Sequence, residues 1–416
     1  MNITFNPSHA NGKIKAISSK SVAHRILICA SFASAPTKIQ CDTTNKDICA
    51  TADCLRALGA IIEYNAPYFY VEPIKKIQRE AVLECGESAS TLRFMLPIVT
   101  ALGVNAQFEM LGRLSERPLS PLYEELVAHG ASLSPQGSNP LVSSGGLAGN
   151  EYHINGNISS QFISGLLFAL TLSGMGGKII IEGKLESAPY VDMTVDALKI
   201  FGAEPEKTEY GYYIRSNAEL CSPDELFVEG DWSNAAFPLC MGAIGSGTVC
   251  VCGLNTASHQ GDIAILDILR EFGASVTVGK TDVTVSGGKR LTGIRVDASQ
   301  IPDLVPVIAT VASVAEGESV IYGASRLRLK ESDRLASVSS MLTGLGAQVK
   351  VTDDGLIING RVNLDGGEVS SFNDHRIAMS AAVASVACSS SVTVCGFECT
   401  SKSYPDFLAD IKSLFN

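Results

Sequence analysis

Leu55-Arg-Ala-Leu-Gly-Ala60 returns as Leu126-Val-Ala-His-Gly-Ala131, Leu198-Lys-Ile-Phe-Gly-Ala203, Leu269-Arg-Glu-Phe-Gly-Ala274 and Leu342-Thr-Gly-Leu-Gly-Ala347, at intervals of 71 to 73 residues. An amphipathic stretch precedes each string. In Pro118 to His129, for example, Leu119, Leu122, Tyr123, Leu126 and Val127 share one helical face. A β-prone stretch follows, such as Ser275-Val-Thr-Val278 or Gln348-Val-Lys-Val351. The glycine is the expected helix stop, because without a Cβ it enters the left-handed conformation at no steric cost. The unit is helix–Gly–strand, about 71 residues long, and 416 residues hold nearly six.

A second element recurs in step. Six apolar helices open on polar residues: Ser19-Lys-Ser-Val-Ala-His-Arg25, Gly86-Glu-Ser-Ala-Ser-Thr-Leu-Arg93, Ser159-Ser-Gln161, Glu229-Gly-Asp-Trp-Ser233, Ile301-Pro-Asp303 and Asn373-Asp-His-Arg376. Phe162 to Leu172 and Val305 to Ala315 have no wide polar face and are expected to be buried. The strands after such helices alternate, as in Lys178-Ile-Ile-Ile-Glu182 and Thr248-Val-Cys-Val-Cys252, which suits sheets with one wet face. Helices inside and sheets outside make an inside-out α/β fold of six pseudo-repeats.

The sixth unit ends early, its second helix being expected over Tyr404 to Phe415 with no strand after it. Ile3 to Phe5 and Lys13 to Ile17 read as strands with no helix before them, so the simplest closure adds them to the C-terminal half. Two domains of three units follow, 18–228, and 1–17 with 229–416. Both crossings fall beside helix openings, which places the expected ligand site in a cleft between the domains.

Composition fits this reading. Hydrophobic residues make up 46% of the chain, enough for sizeable cores, and the apolar runs are far shorter than a membrane span. No secretion signal or transit peptide is read at Met1 to Pro7. The twelve cysteines form no metal-like CxxC pairs, and Cys29, Cys54, Cys240 and Cys388 lie in apolar helices as reduced, buried thiols. A cytoplasmic location is expected. The net charge of −11 argues against nucleic acid or anionic membranes as partners.

Basic residues nevertheless gather at the repeating junctions: Lys20, Arg25, Arg93, Arg117, Arg328, Lys330, Arg334, Arg376 and Lys402. Helix N-termini carry unpaired N–H groups and a positive dipole end, and so attract anions. Arginine adds a planar fork for phosphate or carboxylate, lysine a point charge. Each cation alone reads as a solvated surface charge or as part of a helix N-terminal cap. Together they point to a small, multiply anionic ligand.

Lys20-Ser-x-x-x-x-Arg25, Arg117-Pro, Ser159-Ser-Gln-Phe162, Ser187-x-Pro-Tyr190, Arg328-x-Lys-Glu-Ser-Asp-Arg334, Asn373-Asp-His-Arg376 and Thr400-Ser-Lys402 resemble, in order, the motifs of the 5-enolpyruvylshikimate-3-phosphate (EPSP) synthase family. The resemblance runs from residue 19 to 406. It implies that family's fold of two inside-out α/β domains, a monomer, and transfer of the enolpyruvyl group of phosphoenolpyruvate to the 5-hydroxyl of shikimate 3-phosphate, with release of phosphate. Carried over by motif, Lys20, Ser21, Arg25, Ser159, Ser160, Gln161, Ser187, Tyr190, Asp303 and Lys330 would hold shikimate 3-phosphate. Lys20, Ala89, Ser90, Arg117, Gln161, Arg334, Arg376 and Lys402 would hold phosphoenolpyruvate. Asp303 is the implied base on the hydroxyl and Glu331 the implied proton donor to C3, with Lys20 and His375 in the same network. Domain closure would exclude water from the adduct. No metal or organic cofactor is implied.

Bland roles exist for the same residues. Asp303 after Pro302, Ser159 and Asp374 can simply cap helices, Glu331 can complement a helix dipole, and Trp232 and Asp231 read as packing and capping. One departure from the family pattern matters. Ala89 stands where the family carries a glycine against phosphoenolpyruvate, and Ser90 where it carries threonine. The extra methyl group is expected to weaken the inhibitor glyphosate, which occupies the same pocket and is slightly longer than the substrate. Arg326 stands where some members carry asparagine and is given no role. The sister transferase acting on UDP-N-acetylglucosamine shares the fold but expects asparagine after the lysine and a reactive cysteine in a mobile loop; Lys20-Ser21 and Ser159-Ser-Gln-Phe162 argue against it. A ring clamp on DNA would put basic residues along helix faces, and an inactive repeat scaffold would not need the Lys20, Asp303 and Glu331 set.

Overall fold

In a computed structural model the described residues are 1–287 and 290–415. The five repeated strings act as helix terminators. Gly59, Gly130, Gly202, Gly273 and Gly346 have φ of 115°, 103°, 87°, 103° and 93°. At Ala60, Ala203, Ala274 and Ala347 the alanine N–H donates to the leucine carbonyl five residues back, while the glycine N–H reaches the carbonyl three back. This is a Schellman turn, which satisfies the last orphan carbonyls of a helix. The five leucines are fully buried and the alanines nearly so, so each string pins a last helical turn to the core before the next strand leaves.

The chain divides into two compact units, one of residues 18–228 and the other of residues 1–17 with 229–416. Each has its own hydrophobic core.

The 18–228 unit holds α1 (Lys20–Ser31), α2 (Lys46–Leu58), α3 (Ala89–Ala101), α4 (Leu122–Ala128), α5 (Ser160–Leu172) and α6 (Ala188–Ile200). Helices α1, α3 and α5 are buried on nearly every side, and α3 packs most extensively on α5. Gly165 permits that closeness, since a Cβ there would lie 2.3 Å from the Arg93 carbonyl oxygen. Three four-stranded sheets cover the helices, each with one parallel pair followed by an antiparallel hairpin. Glu225–Phe227, the last strand, pairs with Thr37–Gln40, the first, and so closes the unit on itself. Alternate burial along strands such as Asn105–Met110 leaves one face of each sheet wet.

The other unit holds α7 (Trp232–Ile244), α8 (Ile265–Phe272), α9 (Val305–Ala312), α10 (Arg334–Gly344), α11 (His375–Ala384) and α12 (Phe407–Leu414). Helices α7, α9 and α11 pack on one another at its centre. Two of its sheets incorporate N-terminal strands. Gly12–Lys15 runs parallel to Thr248–Cys252, and Asn2–Phe5 runs antiparallel to Val392–Cys395.

Some helices are shorter than their apolar patterns. The Pro118 to His129 stretch is helical only from Leu122, with Pro121 at the cap position. The Val305 to Ala315 helix ends at Ala312, where Ser313 turns its hydroxyl back to the Thr310 carbonyl. The last helix starts at Phe407 rather than Tyr404, because Pro405 disfavours helical geometry in the residue before it.

Candidate active site

In the 18–228 unit, side-chain caps hold the helix starts. Ser19, Ser88 and Ser159 accept from the N–H groups of Val22, Thr91 and Gln161 and so fix where α1, α3 and α5 begin. On α1, Lys20 Nζ donates to Asp47 Oδ2 at 2.8 Å. Arg25 is buried against the Phe94 ring, and its guanidinium donates to Thr194 Oγ1 (2.8 Å), the Ser21 carbonyl (2.7 Å) and the Tyr190 carbonyl (2.7 Å). Burial lowers the Arg25 pKa to about 10, which leaves it charged at neutral pH.

Arg93 joins α3 to α5. It donates to Gln161 Oε1 at 2.9 Å, to Ser159 Oγ at 3.5 Å and to the Pro118 carbonyl at 2.9 Å, next to Arg117. Gln161 Nε2 in turn donates to Ser90 Oγ at 2.8 Å. Ser160 is buried on that same turn, and Ala89 is buried at the start of α3. Ser187, just before α6, has φ 54° and ψ 38°, a left-handed conformation costly for a residue with a side chain. Its carbonyl accepts from the Tyr190 N–H at 3.0 Å.

In the other unit the charges form one dense cluster. Asp303 Oδ1 accepts from Arg334 at 2.8 Å and from Lys330 at 3.5 Å, while Oδ2 accepts from Arg376 at 3.2 Å. Arg376 also donates to the Asp303 carbonyl at 3.1 Å. Arg334, 1% exposed, donates as well to Glu331 Oε2 (2.7 Å) and Asp374 Oδ2 (2.8 Å). Lys402 lies 3.7 Å from Glu331 Oε1. His375 is buried beside Asp374, whose carboxylate caps α11 through the Arg376 N–H at 3.0 Å.

Electrostatics follow from this packing. Burial alone would raise the Asp303 pKa, but Arg376, Lys330 and Arg334 outweigh it and hold the carboxyl well below its usual range. Burial lowers Lys330 to about 8 despite the nearby Asp303 charge. Arg334 is pushed up: burial opposes its charge, but Asp374, Glu331 and Asp303 favour it more.

Asp303 does not cap a helix. It sits in the short 3-10 turn Pro302–Leu304, no side-chain cap bond forms at α9, and its carboxylate faces the three cations instead. Asp231 does cap α7, through the Asn234 N–H at 2.8 Å, and Trp232 is fully buried with its indole N–H on the Asn255 carbonyl. Arg328 is turned to Asp333 and the Thr352 carbonyl, and Arg326 to the Ser299 carbonyl. Asp47 and Thr194 are further members of these clusters that the motifs did not single out. Asp47 opens α2 behind the Asn45 cap, a polar helix start like those already weighed.

The family model for EPSP synthase (3-phosphoshikimate 1-carboxyvinyltransferase) matches residues 5–411. The chain belongs to the EPSP synthase family. Similar proteins include the 3-phosphoshikimate 1-carboxyvinyltransferases of Clostridium kluyveri, 41% identical over 99% of this chain and 97% of that protein, and of Clostridium acetobutylicum, 43% identical over the same shares. Among solved structures, EPSP synthase from Acinetobacter baumannii aligns with TM-score 0.83 at 24% identity, over 100% of this chain and 98% of that one. The enolpyruvyl transferase NikO from Streptomyces tendae aligns with TM-score 0.77 at 18% identity, over 99% and 96%. These likenesses show the enolpyruvyl transferase fold. The family match does not favour the UDP-N-acetylglucosamine alternative.

Proposed function

We propose that the two clusters act on one pair of substrates, shikimate 3-phosphate and phosphoenolpyruvate. As a member of the EPSP synthase family the chain is a transferase of the shikimate pathway, moving the enolpyruvyl group of phosphoenolpyruvate to the 5-hydroxyl of shikimate 3-phosphate and releasing phosphate. The hydroxyl adds to C2 of phosphoenolpyruvate while C3 gains a proton. Phosphate then leaves as a C3 proton is removed. The reaction needs a base at the hydroxyl, a proton donor and acceptor at C3, and cations for the phosphates and carboxylates.

The half-buried Asp303 carboxylate, ringed by Lys330, Arg334 and Arg376, carries this reading. So depressed a carboxylate is ionised at neutral pH but is a weak base while three cations hold it. Anionic substrates change that. When phosphoenolpyruvate takes Arg334, Arg376 and Lys402, and shikimate 3-phosphate takes Lys330, the cations turn part of their field to the ligands. Asp303 regains basicity when the 5-hydroxyl is next to it, and Glu331 is freed from Arg334 and Lys402 to serve C3. Lys20, Ser21, Arg25, Ser159, Ser160, Gln161, Ser187 and Tyr190 hold shikimate 3-phosphate. Ala89, Ser90 and Arg117 complete the phosphoenolpyruvate pocket, with Lys20 and Gln161 between the two substrates. His375 buttresses the Asp374–Arg376 turn.

The test is phosphate release from phosphoenolpyruvate with and without shikimate 3-phosphate, the product being identified by mass. Release that depends on shikimate 3-phosphate and gives the enolpyruvyl ether is expected. Turnover only with a UDP-amino sugar would overturn the substrate assignment. Asp303→Asn should then lower kcat by about 10²- to 10⁴-fold, the usual worth of a general base.

A further inference from the structure

His24, Thr51 and Thr91 have no part in the reaction as given above, yet they link α1, α2 and α3 through one buried chain of hydrogen bonds. His24 Nδ1 lies 2.7 Å from Thr51 Oγ1, Thr51 Oγ1 lies 2.7 Å from Thr91 Oγ1, and Thr91 Oγ1 donates to Ser88 Oγ at 2.8 Å. All four residues are at most 1% exposed. Ser88 also accepts the Thr91 N–H as the cap of α3, so the chain ends directly before Ala89 and Ser90. At its other end, His24 follows Lys20 by four residues on α1, and their partners Thr51 and Asp47 are four apart on α2. Two rungs one helical turn apart therefore join α1 to α2, an ionic one at the helix starts and a neutral one beneath it.

Proton counting gives the chain a direction. A threonine hydroxyl has one hydrogen to donate. Thr91 gives its own to Ser88, so Thr51 must donate to Thr91. Thr51 can then only accept from His24, which puts the imidazole proton on Nδ1. The other nitrogen agrees. Nε2 is buried with no partner among the described residues, on a ring set T-shaped to Phe94, and an orphaned N–H is rarer in buried sites than an orphaned acceptor. Burial also holds the ring neutral, lowering its pKa to about 3, with Asp47 opposing that shift and Lys20 and Arg25 adding to it. The chain is uncharged in the neutral range, and unlike the Lys20–Asp47 rung it offers no charge for an anionic substrate to draw away.

We propose that His24, Thr51 and Thr91 are positioning residues for phosphoenolpyruvate: their hydrogen-bond chain holds the start of α3, with Ala89 and Ser90, in fixed register with Lys20 on α1. This rests on the placement of phosphoenolpyruvate at those residues given under the proposed function. When the substrates draw Lys20 from Asp47, the ionic rung loosens and the neutral rung keeps the helices aligned. Shikimate 3-phosphate depends on the chain less. Arg25 is fixed independently by Thr194 and the Tyr190 carbonyl of α6, and Ser159 and Ser160 belong to the start of α5.

The experiment compares Thr51→Val and Thr51→Ser in the full chain, with the KM for each substrate measured at saturation of the other. Valine keeps the shape of threonine and removes both of its hydrogen bonds. KM for phosphoenolpyruvate should rise about fivefold or more, since binding must restore a register worth about one buried hydrogen bond, while KM for shikimate 3-phosphate stays within about twofold. Thr51→Ser, which keeps the hydroxyl, should bring the phosphoenolpyruvate KM back to within about twofold of wild type. Loss of packing alone would lower stability in urea without splitting the two KM values. Both values unchanged in Thr51→Val, both raised alike, or no rescue by serine overturns the inference. Should Thr51→Val fail to fold, Thr91→Val breaks the next link and is read in the same way. The wild-type protein supplies an independent reading. In 15N NMR of histidine-labelled protein, the His24 ring, assigned by its change in Thr51→Ser, should be the Nδ1–H tautomer from about pH 8 to about pH 5. An Nε2–H tautomer reverses the chain and overturns the inference, as does a ring that titrates in that range. Wild-type turnover with unsplit KM values in the variants sinks this inference alone. No turnover with the two substrates sinks the functional reading and this inference with it.

Discussion

At the scale of single residues, exchange of partners decides the chemistry. Lys330 is the clearest case for pH dependence. Burial lowers its pKa to about 8, so the ammonium is present below pH 8 and lost above it. If Lys330 binds the phosphate of shikimate 3-phosphate, kcat/KM for that substrate should fall about tenfold per pH unit on the alkaline side of pH 8, since kcat/KM reports groups of the free enzyme. Lys330→Arg, which stays charged, should remove that limb; its persistence in the variant would assign the limb elsewhere. Ala89 is the second case. It is buried directly after the Ser88 cap, and the adjacent Ser90 hydroxyl is already taken by Gln161. Ala89→Gly should lower the inhibition constant for glyphosate by about tenfold or more while changing KM for phosphoenolpyruvate less, because the longer ligand meets the methyl group first. Equal inhibition of the two proteins would refute the steric account.

At the scale of elements, the helix starts and stops carry most of the information. Ser19, Ser88, Ser159, Asp231 and Asp374 each accept an N–H of their own helix, and the glycines of the repeated strings end helices in left-handed turns. Both devices depend on a few adjacent residues and are readable in the chain. Helix lengths were less readable, because Pro121, Ser313 and Pro405 cut apolar patterns short. Packing between helices is less readable still. Gly165 on α5 faces the Arg93 carbonyl oxygen so closely that any side chain must push α3 away. Gly165→Ala should cost about 1–3 kcal/mol in urea unfolding. It should also weaken phosphoenolpyruvate binding by displacing Arg93 from Gln161. Wild-type stability together with wild-type KM would show that the helices shift without cost.

At the scale of the whole molecule, each unit closes its own sheets by a different route. Residues 18–228 do so with their last strand, Glu225–Phe227, on Thr37–Gln40. The other unit uses strands from the far end of the sequence, with Gly12–Lys15 on Thr248–Cys252 and Asn2–Phe5 on Val392–Cys395. Phe5 packs on Phe397 and Phe415, so the first strand contributes core as well as hydrogen bonds. Residues 18–228 expressed alone should therefore unfold cooperatively, as followed by circular dichroism against urea. Removing residues 1–17 from the full chain should selectively destabilise the 229–416 unit and expose two strand edges to aggregation. A deletion protein with both unfolding transitions unchanged would contradict that dependence.

The chain by itself determined what a few neighbouring residues decide. Buried leucines, αL glycines and polar caps set the helix ends, and alternating strands set the wet and dry faces of the sheets, because these follow from local sterics, hydrogen bonding and hydrophobic period. Motif order carried the family. Only the tertiary structure decided which charges meet. Asp303 finds Lys330 and Arg334 from 27 and 31 residues away and Arg376 from 73, and this turns it from a plausible helix cap into a caged carboxylate. Lys20 meets Asp47 across 27 residues, and Ser233 meets Asp262 across 29. No local rule encodes such pairings. Burial makes a lone charge costly, and only the packed fold shows which opposite charges offset that cost.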